Sequence, residues 1–228
     1  MSRPAKITVT ANGPYLVEGD VPLAGQHVVV NEAGESIDWR EGPAVPHADS
    51  YSLCRCGKSR KKPFCDGSHA RARFDGTETA SHAPYAKQAE ETAGPTMLLA
   101  DAEKLCAFAR FCDPAGQVWN LVGASDDPRA AALVEREAGH CPSGRLVAKR
   151  REGAMPLEPR LPRSIGLIQD TAEGVSGGLW VRGGIPVIGA AGYAYEVRNR
   201  VTLCRCGASR NKPFCDGSHA AIKFRDSD

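Results

Sequence analysis

The sequence lacks the features that mark secreted, membrane-spanning and nucleic-acid-binding proteins. Residues 1–6 lead into no apolar stretch, so a secretory signal peptide is not expected. No run approaches the roughly 20 apolar residues that a membrane span needs, so no membrane partner is expected. The formal net charge of the 228 residues is only +2, which gives no reason to expect a nucleic-acid partner. We therefore expect a soluble, cytoplasmic protein.

A disulfide framework is also not indicated, although the chain has nine cysteines. Six of them lie in two short motifs, and each motif also contains a histidine. Cysteines grouped beside histidine are typical of metal ligation in a reducing compartment rather than of a secreted disulfide scaffold.

The two motifs are copies of one pattern, C-x-C-x8-C-x3-H, over residues 54–69 and 204–219. Every matched position is offset by 150 residues. Three thiolates and one imidazole in so short a segment form the donor set of a four-ligand metal site. These soft ligands suit zinc or an iron–sulfur cluster, and the spacing alone leaves both open.

The spacing within a motif predicts how its donors are divided. Residues i and i+2 of an extended loop face the same side, so Cys54 and Cys56 can hold a single iron of a two-iron cluster. Cys65 and His69 are then left for the second iron. We expect Asp66 to accept hydrogen bonds from backbone amides and so to hold the loop.

The repeat extends beyond the motifs. Residues 177–189 repeat the layout of residues 13–25, with matched glycines and prolines: Gly13/Gly177, Gly19/Gly183, Pro22/Pro186 and Gly25/Gly189. The larger repeat is thus a strand–turn–strand unit, a spacer and a metal site. Such duplication predicts two similar β-rich units that pack about a pseudo-twofold axis.

The remaining chain predicts an α+β fold with a mainly helical insert in the centre. Strand signals lie at 6–10, 15–23, 27–30 and 36–39. Helical spacing predicts helices over 100–111 and 129–138, whereas 118–122 fits either a short strand or a core segment, and 75–95 is read as a linker. The predicted division is a first unit at 1–75, a central module at 76–160 and a second unit at 161–228.

The full motif, C-x-C-x2-S-x3-P-x-C-D-G-S-H, resembles the signature of the CDGSH (mitoNEET-like) iron–sulfur family, and both copies match it at every motif position. The resemblance implies a [2Fe–2S] cluster at each site, held by three Cys and one His. The implied ligands are Cys54, Cys56, Cys65 and His69 in the first copy and Cys204, Cys206, Cys215 and His219 in the second. Single-motif members pair as homodimers, so a chain with two motifs is expected to be a monomer with an intrachain pseudo-dimer.

The histidine ligands predict the function. A solvent-reachable imidazole on iron can take up a proton, and a neutral ligand in place of a thiolate raises the reduction potential of the cluster. We therefore expect redox-active clusters that are pH-sensitive and labile in acid. They would serve electron transfer or cluster transfer with a redox partner or cluster-acceptor protein. No catalytic constellation is visible, so no enzyme is expected; the alternatives are a redox enzyme that uses the clusters or a zinc-binding interaction module.

Three cysteines lie outside the motifs: Cys106, Cys112 and Cys141. Their spacing resembles the ligand set of single-cluster bacterial ferredoxins, and residues 141–146 resemble the C-P-S-G-x-L ending of a divergent ferredoxin-like domain. The set has no fourth cysteine, however, and the first two fall in a helical pattern. This favours buried structural cysteines over a third cluster, which stays open as the alternative.

Overall fold

The computed structural model describes residues 4–226, and over that range the chain is an α+β protein. The strands are β1 (Lys6–Val9), β2 (Tyr15–Glu18), β3 (Leu23–Val30), β4 (Ser36–Ala44), β5 (Ser50–Leu53), β6 (Glu90–Ala93), β7 (Met97–Asp101), β8 (Leu146–Arg150), β9 (Ser164–Asp170), β10 (Val175–Arg182), β11 (Val187–Ile188) and β12 (Arg200–Leu203). The α-helices are α1 (Ser68–Arg71), α2 (Val118–Gly123), α3 (Pro128–His140) and α4 (Ser218–Ala221). None of the helices in residues 4–226 is long and apolar enough to cross a membrane.

The strands form three sheets. Their orders are β11–β1–β2–β5, β12–β10–β9–β3–β4 and β6–β7–β8. In β1, buried Ile7 and Val9 alternate with more exposed neighbours, as expected for a strand with one face in the core. Strand β10 lies inside the five-stranded sheet and is buried along its whole length.

Each half of the chain contributes to the other half's sheet: β11 joins β1, β2 and β5, and β3 and β4 join β9, β10 and β12. Strand β11 pairs in parallel with β1, and β3 pairs in parallel with β9. The hydrogen bonds at the two junctions match: Ile7 N donates to Pro186 O over 2.9 Å, and Ile165 N donates to Pro22 O over 2.8 Å. Since Pro22 and Pro186 are repeat partners in the sequence, the two halves make the same contact in opposite directions.

The principal core lies between these two sheets and draws on both halves of the chain. It includes Tyr15, Leu23, Ile165 and Leu203, each at most 2% exposed. Burial of a large apolar side chain contributes about 1.5–3 kcal/mol, so this shared core holds the two halves together.

The central module has its own core beneath the β6–β7–β8 sheet, where Leu99, Val122, Val134 and Leu146 are each at most 1% exposed. Helix α3 begins at Pro128, and the side chain of the preceding Asp127 accepts a hydrogen bond from Arg129 N over 2.9 Å. A proline in the first turn after a capping aspartate is a favoured helix start.

The structure confirms many of the predicted elements. Strands cover the predicted positions near 7, 16, 28 and 37, and α3 includes the predicted helix at 129–138. The segment 118–122 is not a strand but lies in helix α2, and its fully buried Val118 and Val122 confirm the alternative of a core segment.

The helix predicted over 100–111 is wrong. Residues Met97–Asp101 are strand β7, and Glu103–Leu105 is a short 3-10 turn. Phe108 and Arg110 have φ of 52° and 61°, a left-handed conformation that no α-helix accommodates. The three-to-four spacing of apolar residues here came from a strand followed by a coiled loop. The central insert therefore combines a sheet with two helices and is not mainly helical; strand β6 also lies in the predicted linker.

Candidate metal centres

Each motif is a loop between a strand and a short helix. The first follows β5 and ends in α1, and the second follows β12 and ends in α4. Isolated bridges close both loops, between Leu53 and Phe64 and between Leu203 and Phe214. These backbone contacts bring the third cysteine of each motif back beside the first two.

The predicted donors stand in matched pairs. The Sγ atoms of Cys54 and Cys56 are 3.7 Å apart, and those of Cys204 and Cys206 are 3.6 Å apart. For a tetrahedral ion with metal–sulfur bonds of about 2.3 Å, two thiolates lie roughly 3.7 Å apart. Each C-x-C pair is thus at the spacing needed to chelate one metal ion.

The second pair in each loop joins a thiol to an imidazole. Sγ of Cys65 lies 3.4 Å from Nδ1 of His69, and Sγ of Cys215 lies 3.4 Å from Nδ1 of His219. A sulfur and a nitrogen on one tetrahedral ion would be roughly 3.5 Å apart. Nδ1 is therefore the ring nitrogen placed to bind a metal, which leaves Nε2 for solvent or protein.

The donors are grouped as pairs and not as single-ion clusters. Among residues 4–226, no group of three or more His, Cys, Asp or Glu side chains is arranged to hold one metal ion. Two pairs in each loop, each at chelating distance, fit a cluster with two irons.

Backbone amides prepare the loops for negative charge. The Cys56 thiol lowers the pKa of Cys54 most strongly, burial opposes this, and the amides of Ser59 and Gly57 lower it further. Lys58 N also donates to Sγ of Cys56 over 3.4 Å. These contacts favour thiolate, the form that binds metal, at Cys54, whereas the hydrogen bond with Cys54, followed by burial, raises the pKa of Cys56.

Asp66 holds the first loop as predicted. Its carboxylate accepts from Arg60 N over 3.0 Å and from Ser68 N over 2.9 Å, and these amides keep the pKa of Asp66 well below its usual range. Asp216 makes the same two bonds to Arg210 N and Ser218 N in the second loop. The bonds fix the turn between the third cysteine and the histidine.

The ligand spacing did not predict a role for the arginine between the first two cysteines of each motif, Arg55 and Arg205. Arg55 is 1% exposed, and its Nε donates to Gly13 O over 2.9 Å. Arg205 is 4% exposed and donates to Gly177 O over 2.7 Å. Because Gly13 and Gly177 are repeat partners, both arginines anchor their loops in the same way. The signal was present: this arginine is identical in both copies, whereas Lys58 and Lys61 are replaced by Ala208 and Asn211.

The two loops touch each other through their glycines. A Cβ on Gly57 would overlap the carbonyl oxygen of Cys206, and a Cβ on Gly207 would stand 2.6 Å from that of Cys56. Both glycines also have left-handed φ, of 72° and 85°. Only glycine fits here, since both the backbone angle and the close approach exclude a side chain.

The two sites differ in exposure. Cys65 and His69 are half-buried, whereas Cys215 and His219 are 2% and 3% exposed. The expectation of a solvent-reachable imidazole is therefore wrong for His219. Burial, followed by the positive charge of Arg205, lowers the pKa of this imidazole to about 4.

The three central cysteines lie together. Cys106, Cys112 and Cys141 line one small cavity, with Arg145 on its wall. All three are free thiols and only partly exposed. Burial raises the pKa of Cys112 to about 12, with smaller contributions from Asp113, Cys141 and Cys106. The tertiary structure thus gathers residues that are 35 positions apart in the sequence into one thiol cluster.

Family comparison agrees with these three sites. Residues 12–70 and 176–220 match a family described as iron-binding zinc finger, CDGSH type. Residues 92–151, which include all three central cysteines, match a family described as divergent 4Fe-4S mono-cluster. No curated protein and no solved structure matches the chain significantly. The chain is therefore an iron–sulfur cluster-binding protein that contains two CDGSH-type units.

Proposed function

We propose that each CDGSH loop holds a [2Fe–2S] cluster through three cysteines and one histidine. The observation that carries this is the distance within each donor pair, which suits two ligands of one metal ion. The Sγ atoms of Cys54 and Cys56 are 3.7 Å apart, and Cys65 Sγ is 3.4 Å from His69 Nδ1. The second loop repeats both spacings. A cluster with two thiolates on one iron, and a thiolate and a neutral imidazole on the other, carries less negative charge than one with four thiolates. Its reduction potential is therefore higher.

A third cluster is part of the proposal. Cys106, Cys112 and Cys141 line a common cavity within the region that matches the mono-cluster family. Arg145 lines the same cavity, and its guanidinium makes a bidentate ion pair with Asp101 over 2.6 Å and 2.8 Å. When bound, the cluster would supply one-electron chemistry, and the protein would supply the three thiolates.

The two CDGSH units are proposed to form a pseudo-dimer within one chain. The reciprocal bonds from Ile7 to Pro186 and from Ile165 to Pro22 support this, because isologous interfaces repeat each contact in both directions. The reciprocal approach of Gly57 to the Cys206 carbonyl and of Gly207 to that of Cys56 supports it at the sites themselves. We accordingly propose a monomer.

The role of the clusters is electron transfer or cluster transfer in the cytoplasm, with a redox partner or cluster-acceptor protein. The first site is the better docking point because it is less buried and surrounded by exposed cations, including Lys58, Arg60 and Lys61. The equivalents of Lys58 and Lys61 at the second site are the neutral Ala208 and Asn211. A partner with an acidic surface would be steered to the first site. Acid sensitivity is proposed for the same site through His69.

The enzyme alternative would need a substrate cavity beside a cluster. A cavity that borders the second loop at Asn211 and Phe214 has a volume of about 30 Å³, far below the several hundred Å³ typical of ligand pockets. A larger cavity, of about 540 Å³, is lined by residues such as Lys87, Asp101 and Trp119, all outside both motifs. This favours a carrier of electrons or clusters over a redox enzyme.

The test is to measure iron, zinc and sulfide in freshly purified protein, together with its visible and Mössbauer spectra. Two [2Fe–2S] clusters require about four irons and four sulfides per chain, and the central site adds about three or four irons. The triple variant Cys106→Ser, Cys112→Ser, Cys141→Ser should lose only the additional iron. Colourless protein with about two zincs would contradict the proposal in favour of an interaction module.

A further inference from the structure

We infer that the central cysteine site exchanges electrons directly with the second CDGSH site and not with the first. This rests on the proposed function, because it needs clusters at both sites. It assigns the three centres an order along the protein: the central site, then the second CDGSH site, then the first.

The segment that carries Cys106 contacts the glycine of the second CDGSH loop but not the equivalent glycine of the first. A Cβ on Gly217 would stand 3.1 Å from Phe108 Cβ and 3.4 Å from the carbonyl oxygen of Cys106. At the equivalent Gly67 of the first loop, a Cβ would meet nothing within 4 Å. Gly217 lies between the ligands Cys215 and His219, so the loop that carries Cys106 rests on the second site.

Hydrogen bonds also join the second CDGSH loop, and the strand that precedes it, to the region of the central cysteines. Asn211 Nδ2, in the second loop, donates to Lys104 O over 2.8 Å, two residues before Cys106. Arg200 Nε donates to Cys141 O over 2.7 Å, and Arg200 begins the strand that runs into Cys204. Two of the three central cysteines are therefore tied to the second loop or to the strand leading into it.

Burial agrees with this contact. Cys215 and His219 are 2% and 3% exposed, whereas Cys65 and His69 are half-buried. The second site is thus covered by the protein, and the nearby Cys106 belongs to the covering segment.

The order of the centres continues through the glycine contact between the two loops. Gly207 approaches the carbonyl of Cys56, and Gly57 approaches that of Cys206. With clusters bound, the sites would supply one-electron chemistry: one electron lost by the central site would reduce the second CDGSH site, with no bond or proton exchanged. The second site could then pass that electron to the first, more exposed site in the same way.

The experiment compares Cys215→Ser with Cys65→Ser, which remove a ligand from the second and the first CDGSH site. The readout is the EPR power saturation of the central cluster in a state where it and the CDGSH clusters are paramagnetic. We expect the half-saturation power to fall several-fold in Cys215→Ser and to stay at the wild-type value in Cys65→Ser. After flash photoreduction, electron redistribution from the central cluster should slow at least tenfold in Cys215→Ser only. Equal effects of the two variants would overturn the inference.

A second pair of variants keeps all nine cysteines. Gly217→Ala and Gly67→Ala impose the same left-handed strain, but only the former pushes against Phe108 and Cys106. We expect only Gly217→Ala to change the EPR signal of the central cluster; the same response from both would contradict the inference. Iron and sulfide counts separate the two levels of failure. Wild-type protein without the additional iron contradicts the proposed central cluster, whereas three clusters with no preference for the second site contradict only the inference.

Discussion

Gly57 lies against the carbonyl group of Cys206, so a residue of one CDGSH loop touches a proposed ligand of the other. The reverse contact, from Gly207 to Cys56, is also present. The two sites are therefore mechanically linked through their backbones, and a disturbance at one glycine should reach both clusters.

Gly57→Ala should destabilise the cluster-loaded protein by more than the strain of its left-handed backbone accounts for. The left-handed backbone costs a residue with a side chain about 1–2 kcal/mol, and the clash with Cys206 adds about 1–3 kcal/mol. The control is Gly34→Ala, which has φ of 81° but no atom within 4 Å of the new Cβ. Thermal unfolding followed by visible absorption gives the comparison, and equal midpoints for the two variants would contradict the prediction.

Tyr15→Phe should weaken the second site selectively. The buried Tyr15 hydroxyl donates to Cys204 O over 2.8 Å and to Pro213 O over 3.0 Å. Loss of the donor removes this bond from the buried Cys204 carbonyl, at about 1–3 kcal/mol, whereas Pro213 O keeps its bond from Cys204 N. We expect faster thermal bleaching of the second cluster, assigned by Mössbauer spectroscopy. Tyr51→Phe is the control because its hydroxyl bonds to Val21 O, outside both motifs; bleaching of both clusters alike by Tyr15→Phe would argue against this role.

Acidification should release the two CDGSH clusters in separate phases. Protonation of the imidazole competes with iron as the pH falls. His69 is half-buried, whereas burial and Arg205 lower the pKa of metal-free His219 to about 4. The first cluster should therefore be lost at the higher pH. Stopped-flow absorbance should show that His69→Cys removes the early phase and His219→Cys leaves it; a single phase in the wild type would be inconsistent with unequal exposure.

Glu137→Gln should reduce the loss of stability that occurs as the pH rises from about 4.5 to about 7. Glu137 is 2% exposed, and both of its carboxylate oxygens lack a hydrogen-bond partner among the described residues. Burial raises its pKa from 4.5 to about 7. The folded protein therefore holds a proton that the unfolded chain releases, and this contribution to stability is present below about pH 4.5 and is lost as the pH rises through about 7.

The measurement for Glu137 is the thermal midpoint at about pH 5 and about pH 7.5, which span most of this range. The decrease between them should be smaller in Glu137→Gln than in the wild type. Glu135→Gln, on the exposed face of the same helix, should leave the decrease unchanged. If Glu137→Gln retained the full decrease, buried Glu137 would not be its source.

The repeated units and the contacts within their loops could be predicted from the sequence alone. The motif predicted the two CDGSH units, and its local spacing predicted the pairing of Cys54 with Cys56 and the role of Asp66, because these contacts lie within one short loop. Alternating and helical apolar patterns also located several strands and the helix that ends at His140. Such features depend on local backbone geometry, which short-range sequence encodes.

The conformation of the central loop and the exposure of each site could not be predicted from the sequence, because both depend on packing between distant segments. The loop from Cys106 to Cys112 reads as a helix locally, but packing places Phe111 against Trp39 at a ring distance of 4.7 Å and gives Phe108 a left-handed backbone. The same packing gathers Cys141 with the other two thiols and buries His219 while leaving His69 half-buried. Two nearly identical motifs thus acquire different surroundings, because exposure depends on which distant segment covers a loop and not on the sequence of the loop itself.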